Sequence, residues 1–354
     1  MKQSLSPAIF AAPLFLFASC MSSIYRDMYP TLLDGRYDSE FPYRGCSKQL
    51  EEVSETVKRI TVVAHYKAYS FPRGDSITLS AITKEFLDRL EPVAVYQQLS
   101  AAGTGTVIYN ENSRIGVLTC AHIVDYSDTV VTRYLDPDFH VTPYLRTFAI
   151  KTNQFMYLNE VAGGTALDIL ALDRSADLAV LGQTLTENKN LLVRAFHYPL
   201  GKARQLEWGS FVYLFGYPSG YRMITKGIVS LSGRPTPSSF VVDAVVSPGS
   251  SGSIALAIRD GVPNFELVGI IKMIPAQASY VLTPAKEGFV EYDALEPYHG
   301  EVFVQRKAEI QQGIAVAIPI ETIVTFLYKY QSQLTQKGYD IINWLNPPLP
   351  PAIK

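Results

Sequence analysis

The chain has 354 residues, 47% of them hydrophobic, with 31 Lys and Arg against 33 Asp and Glu and a formal net charge of −2. That length and apolar content fill one large domain or two medium ones. The near balance of charge excludes the overall basic field that draws a protein to nucleic acid, so no nucleic-acid partner is expected.

The N-terminus reads MKQSLSPAIFAAPLFLFASC: one Lys, an apolar run from Ala8 to Phe17, the small residues Ala18 and Ser19, then Cys20. The run is too short to span a bilayer and has the proportions of a signal peptide. It resembles the bacterial lipoprotein leader, which implies removal of residues 1–19, lipidation of Cys20 and a chain held at the bacterial cell envelope, on its periplasmic or surface side. Residues 20–57 show little periodicity and read as a tether, with a short helix near KQLEEVSETVKRI.

From Ile60 onward short β runs follow one another: ITVVAHY, GTGTVIY, IGVLTCAHIV, LDILALD, DLAVLGQ, FVYLFGY, ITKGIVSLS, FVVDAVV, SGSIALAI, FELVGIIKMI and QGIAVAIPI. So many short strands, punctuated by Gly, Pro, Asn and Asp, predict an all-β fold of barrel or sandwich type. After Pro319, apolar residues at helical spacing (Ile323, Phe326, Leu327, Tyr330, Leu334) predict one amphipathic helix. The Pro-rich end, residues 341–354, reads as an extended tail.

Beyond Cys20 the chain has only Cys46 and Cys120, with no CxxC pair, so neither a structural zinc site nor any other metal site is expected. Export permits a disulfide, but spacing does not fix connectivity, and two free thiols are the expectation. No cofactor signature is present; FGYPSGY lacks the helix with Lys-Ser/Thr that a phosphate loop needs.

Gly249-Ser250-Ser251-Gly252-Ser253 lies between two apolar runs. Small residues crowd ordinary turns too, so the stretch gains meaning only if the chain supplies a base and a carboxylate for a serine hydroxyl. Of five histidines, only His122 directly follows a hydrophobic strand, in GVLTCAHIV; His65, His140, His197 and His299 lack that setting. DRSADLAVL sets Asp177 before an apolar run, with Asp168 and Asp173 as rivals.

GTGTVIYNENSRIGVLTCAHIV, DRSADLAVL, DAVVSPGSSGS and GIAVAIPI occur in the order and local wording of trypsin-like serine peptidases, and the stretch from about 100 to 335 resembles the HtrA/Deg branch most. The resemblance implies two antiparallel β-barrels of the chymotrypsin/trypsin type with a C-terminal helix, over residues 58–340: barrels at about 58–195 and 196–320, then the closing helix, with the active site in the cleft between barrels. Carried over by motif, His122 is the general base, Asp177 its orienting carboxylate and Ser251 the nucleophile. The N–H groups of Gly249 and Ser251 form the oxyanion hole.

The resemblance further implies a specificity pocket made by Val245, Val246, Ile270 and Ile271, suited to a small or medium aliphatic side chain. Ser250 and Ser253 depart from the family's Gly-Asn-Ser-Gly-Gly, and a Gly required at 253 for positive φ would leave the oxyanion loop distorted. Two insertions, 127–164 and 276–312, are candidates to cover the cleft. With few residues after the final helix, no PDZ domain is expected to follow. The expected function is a membrane-tethered serine endopeptidase acting on a polypeptide substrate. Its rival is a catalytically impaired scaffold that keeps the fold as a binding module. Oligomeric state, substrate and trigger are not legible.

Overall fold

The structure, a computed structural model, describes residues 34–42, 44–90, 94–138, 140–161, 165–185, 193–230, 239–273, 276–284, 295–310 and 313–346. The expected leader, Cys20 and the last eight residues of the tail lie outside them. Among the described residues no helix is long and apolar enough to cross a membrane.

Strands dominate, as the runs of β-branched and aromatic residues demand. The first sheet takes β1 (Val57–Ser70), β2 (Val95–Glu111), β3 (Arg114–Thr119), β4 (Thr129–Leu135), β5 (Val141–Leu158), β6 (Asp168–Asp173) and β7 (Leu178–Thr184), in the order β4-β5-β1-β2-β3-β7-β6. The second takes β8 (Phe211–Gly216), β9 (Met223–Val229), β10 (Phe240–Ala244), β11 (Ile254–Ile258), β12 (Phe265–Met273) and β15 (Gly313–Pro319), closed as β10-β15-β12-β11-β8-β9. All ladders are antiparallel. The chain is therefore an all-β fold with one difference from the two full barrels expected: the first is a half-barrel. Its strands curl so that Leu167 N, just before β6, donates to Met156 O of β5 at 2.8 Å, but no ladder continues that bond.

Alternation decides which side chains go where. In β8, Val212 and Leu214 point into the closed barrel with Val242, Ala255, Val268 and Ala317, while Phe211 and Phe215 face a larger core shared with Ile60, Val117, Leu178 and Ile254. The predicted helix is α4 (Ile320–Gln336), and its Ile323, Phe326, Leu327 and Leu334 enter that larger core. Burying each such side chain stabilises the fold by about 1.5–3 kcal/mol before entropy is subtracted.

The insertions are built into strands. Residues 127–164 hold β4 and β5, and β5 pairs with β1 from Ile60↔Leu158 to Ser70↔Thr147, so this segment widens the sheet. The far ends of β1 and β5, with α2 (Lys84–Arg89) against them, bury Tyr69, Phe71, Leu145 and Phe148 as a satellite cluster. Residues 276–312 contribute a two-stranded ribbon, β13 (Ala276–Thr283) and β14 (Phe303–Ile310), between β12 and β15.

The tether reading of 20–57 needs correction from residue 34 on. Tyr37 forms a bridge with Arg259; its hydroxyl donates to Glu266 Oε2 at 2.6 Å and accepts from Lys202 N at 2.7 Å, and Arg259 lies 4.0 Å above its ring. Helix α1 (Ser47–Thr56) then buries Val53 and runs into β1. An isolated aromatic in a polar stretch reads as linker, yet this one is a docking residue. At the other end α5 (Ile342–Leu345) buries Trp344 and Leu345, so the packed chain continues past 341 to residue 346. Cys46 and Cys120 are free and buried.

Candidate active site

Cys120 follows β3 and is the N-cap residue of α3 (Ala121–Val124), a single turn carrying His122. Asp177, in the turn between β6 and β7, has φ +57°, a left-handed conformation that Asp tolerates better than most residues. From it Asp177 grips the turn three ways. Its carbonyl accepts from Ala121 N (3.1 Å), its Oδ1 accepts from His122 N (2.9 Å), and its carboxylate meets His122 Nδ1 at 2.8 Å (Oδ2) and 3.0 Å (Oδ1). A carboxylate there selects the tautomer with the proton on Nδ1, leaving the Nε2 lone pair free. The imidazole is half exposed, 45% for its side chain against 22% for Asp177.

The rival carboxylates do not contact His122. Asp173 takes Ser175 N, Ser175 Oγ, Ala176 N and Lys329 Nζ, and the Lys329 ammonium with those donors holds its carboxyl well below the usual carboxylate range. Asp168 starts β6, the outermost strand next to β7. His65 packs edge-on to Phe155, His140 pairs with Asp136, His197 lies against the Tyr198 ring, and His299 is exposed.

Ser251 sits in the turn between β10 and β11. The turn is locked from within: Ser250 N donates to Ser247 O, Ser247 N to Ser250 Oγ, and Ser253 N to Ser250 O. Gly249 has φ +99°, and a Cβ there would stand 2.3 Å from Tyr217 O. Glycine is what lets the chain turn this close to a neighbouring backbone. Among the described residues, neither Gly249 N nor Ser251 N donates to any protein acceptor. Two neighbouring amides left unpaired beside a serine are free to receive an oxyanion. Ser251 Oγ lies 3.5 Å from Lys272 O, and no hydrogen bond joins it to His122.

The two halves of the site are tied together across the seam. Thr104 N donates to Ser251 O (2.8 Å), Thr104 Oγ1 donates to Gly249 O (2.8 Å) and accepts from Tyr217 N (2.9 Å), and Thr104 O accepts from Thr119 Oγ1 (2.7 Å). Gly252 N donates to Ile271 O at 2.7 Å, and Cys120 Sγ reaches the same carbonyl at 3.4 Å. Sequence reasoning missed Thr104. The signal was the Thr between two glycines in GTGTVIY, one strand before the histidine.

Ser253 does not need glycine's freedom: its φ is not among the positive ones. Its side chain is 3% exposed and occupies space that Gly216 leaves, since a Cβ at 216 would lie 1.8 Å from Ser253 Oγ. The four residues expected to form a specificity pocket do not share an open surface. Val245 is 73% exposed, whereas Val246, Ile270 and Ile271 are buried. Ile270 and Ile271 point to opposite faces of β12, and both faces are covered, one by the barrel interior and one by the larger core.

Residues 103–270, which contain His122, Asp177 and Ser251, match the family of the trypsin-like peptidase domain. No curated protein matches. Among solved structures, a serine endoprotease from Yersinia pestis aligns at 16% identity over 85% of this chain and 70% of that one, with a TM-score of 0.39. On the family match, residues 103–270 are similar to a trypsin-like peptidase domain.

Proposed function

We propose that this peptidase domain is a serine endopeptidase of the HtrA/Deg branch, hydrolysing extended or unfolded polypeptides of the cell envelope through an acyl-enzyme on Ser251. The observation that carries the reading is the pair of unpaired amides, Gly249 N and Ser251 N, on a turn that Thr104 N ties to the sheet carrying the His122–Asp177 pair. In this reading Ser251 exchanges its long contact with Lys272 O for His122 Nε2, which takes the proton as Oγ attacks the substrate carbonyl. The carbonyl oxygen gains negative charge and accepts from the two amides. Asp177 supports the imidazolium. His122 then gives its proton to the leaving amine, and a water activated by the same imidazole releases the acid. Catalytic hydrogen bonds that are loose without substrate are common.

The missing Ser251–His122 bond also favours a second reading, an impaired scaffold that binds polypeptide without cutting it. Incubation with an unfolded protein substrate separates them. Fragments from the wild type and none from Ser251→Ala or His122→Ala support the peptidase; an intact substrate that nevertheless co-migrates with the chain supports the scaffold.

We also propose that Cys20 anchors the enzyme in the membrane, on the support of the leader's wording alone. Radiolabelled palmitate should enter the wild type and not Cys20→Ser; equal labelling of both overturns the anchor.

A further inference from the structure

Two residues before His122, Cys120 has no role in the hydrolysis above. Its Sγ, a His122 ring nitrogen and an Asp177 carboxylate oxygen all lie within 4.8 Å of one another. The thiol is fully buried, and burial followed by the nearby Asp177 charge pushes its pKa well up, so on its own it is no nucleophile. Its hydrogen bond to Ile271 O is dispensable, because Gly252 N already donates to that carbonyl.

The donor set has a chemistry of its own. Sulfur, imidazole nitrogen and carboxylate oxygen together select a borderline-soft cation such as Zn²⁺ over Mg²⁺ or Ca²⁺. Bond lengths of about 2.0–2.3 Å in a tetrahedron set these atoms roughly 3.3–3.6 Å apart, so His122 Nδ1 and Asp177 Oδ2, now at 2.8 Å, must open to admit the cation. The half-exposed imidazole can supply that movement.

We propose that Cys120 Sγ, His122 Nδ1 and an Asp177 oxygen form an inhibitory site for a thiophilic divalent cation, with a water from the cleft as fourth ligand. As regulation of the same site, this rests on the hydrolase reading for its consequence but not for its binding. On binding, the Cys120 thiol releases one proton to solvent, and the His122 proton moves from Nδ1 to Nε2, leaving the ring neutral. Thiolate and carboxylate balance the two positive charges. With Nε2 protonated, His122 has no lone pair for the Ser251 proton, and the nucleophile stays inactive. The cation thus traps the base in the wrong tautomer.

The test uses the full chain carrying Ser251→Ala, so that binding is read without catalysis. Titration with Cd²⁺ should raise a thiolate-to-cadmium charge-transfer band that saturates at one equivalent and is displaced by Zn²⁺. Cys120→Ala should lose the band, while the Cys20→Ala, Cys46→Ala double variant keeps it. Asp177→Asn should weaken binding by about 10-fold or more, in line with what lost metal-site partners command. In the active chain, Zn²⁺ should slow labelling by a fluorophosphonate and a chelator should restore it; Cys120→Ser, checked for an unchanged melting temperature, should label at one rate with or without Zn²⁺. No band, a band that survives Cys120→Ala, or zinc inhibition that persists in Cys120→Ser overturns the site. A wild type that never labels even without metal sinks the hydrolase reading instead, and leaves the cadmium result to stand or fall alone.

Discussion

Thr104 Oγ1 donates to Gly249 O at 2.8 Å, so a side chain of the first sheet holds the oxyanion turn of the second. The same oxygen accepts from Tyr217 N, and the residue's own N–H holds Ser251 O. Thr104 thereby holds the carbonyls of the two residues whose amides are free, while the carbonyls in the same peptide planes as those amides, Pro248 O and Ser250 O, accept from Ser219 N and Ser253 N. Pre-set donors of this kind matter in the transition state more than in the ground state.

Thr104→Val keeps the shape and the backbone donor but leaves Gly249 O and Tyr217 N without the hydroxyl, at about 1–3 kcal/mol for each buried group. The expected outcome is a kcat about 10- to 100-fold lower with KM changed by a few-fold at most. Thr104→Ser should recover most of the loss. Steady-state kinetics on one peptide substrate read both constants. A Val variant whose KM rises while kcat holds would show that Thr104 acts on binding and not on the oxyanion turn.

Gly216 and Ser253 form a size-matched pair, one missing the Cβ that the other's hydroxyl displaces. Gly216→Ala alone should lower stability by about 1–3 kcal/mol through overpacking. Adding Ser253→Gly should return most of it, a coupling that a double-mutant cycle in urea measures directly. Additive losses in the double variant would mean that the two side chains do not compete for that space.

The docked N-terminal arm gives a pH dependence. Burial, opposed by the Gly261 N–H and reinforced by Asp260, Asp34 and Glu40, raises the Asp38 carboxyl to about 6. A carboxyl with a raised folded pKa binds its proton more tightly when folded, so its contribution is fully present below the unfolded value of about 4 and is lost as pH rises through 6. Asp38→Asn, which keeps an acceptor for Gly261 N, should therefore melt higher relative to wild type at pH 8 than at pH 4. A difference in melting temperature that is flat across that range rejects the assignment.

The motifs that sequence could reach were those in which a local pattern carries the chemistry. His122 at a strand end, Asp177 before DLAVL and the small residues at 249–253 are each visible within about ten residues. The closed barrel was legible because its strands are apolar and evenly punctuated. What stayed hidden depends on partners far along the chain. The start of β2 is exposed and no residue of β4 is fully buried, so neither shows the in-and-out burial of a core strand. The family resemblance put Ile270 and Ile271 in the pocket, and two neighbouring apolar residues do not tell whether a second layer covers them. Tyr37 and Thr104 declare themselves only through bonds to Glu266, Lys202, Gly249 and Tyr217.

Intact-mass analysis after exposure to a fluorophosphonate tests the central claim most directly. One adduct per chain, mapped to the peptide containing Ser251, absent from Ser251→Ala and formed about 10⁴-fold more slowly in Asp177→Asn, is the result expected of an imidazole held in its working tautomer. A native, folded wild type that gains no adduct, or one that reacts equally fast with Asn at 177, contradicts it.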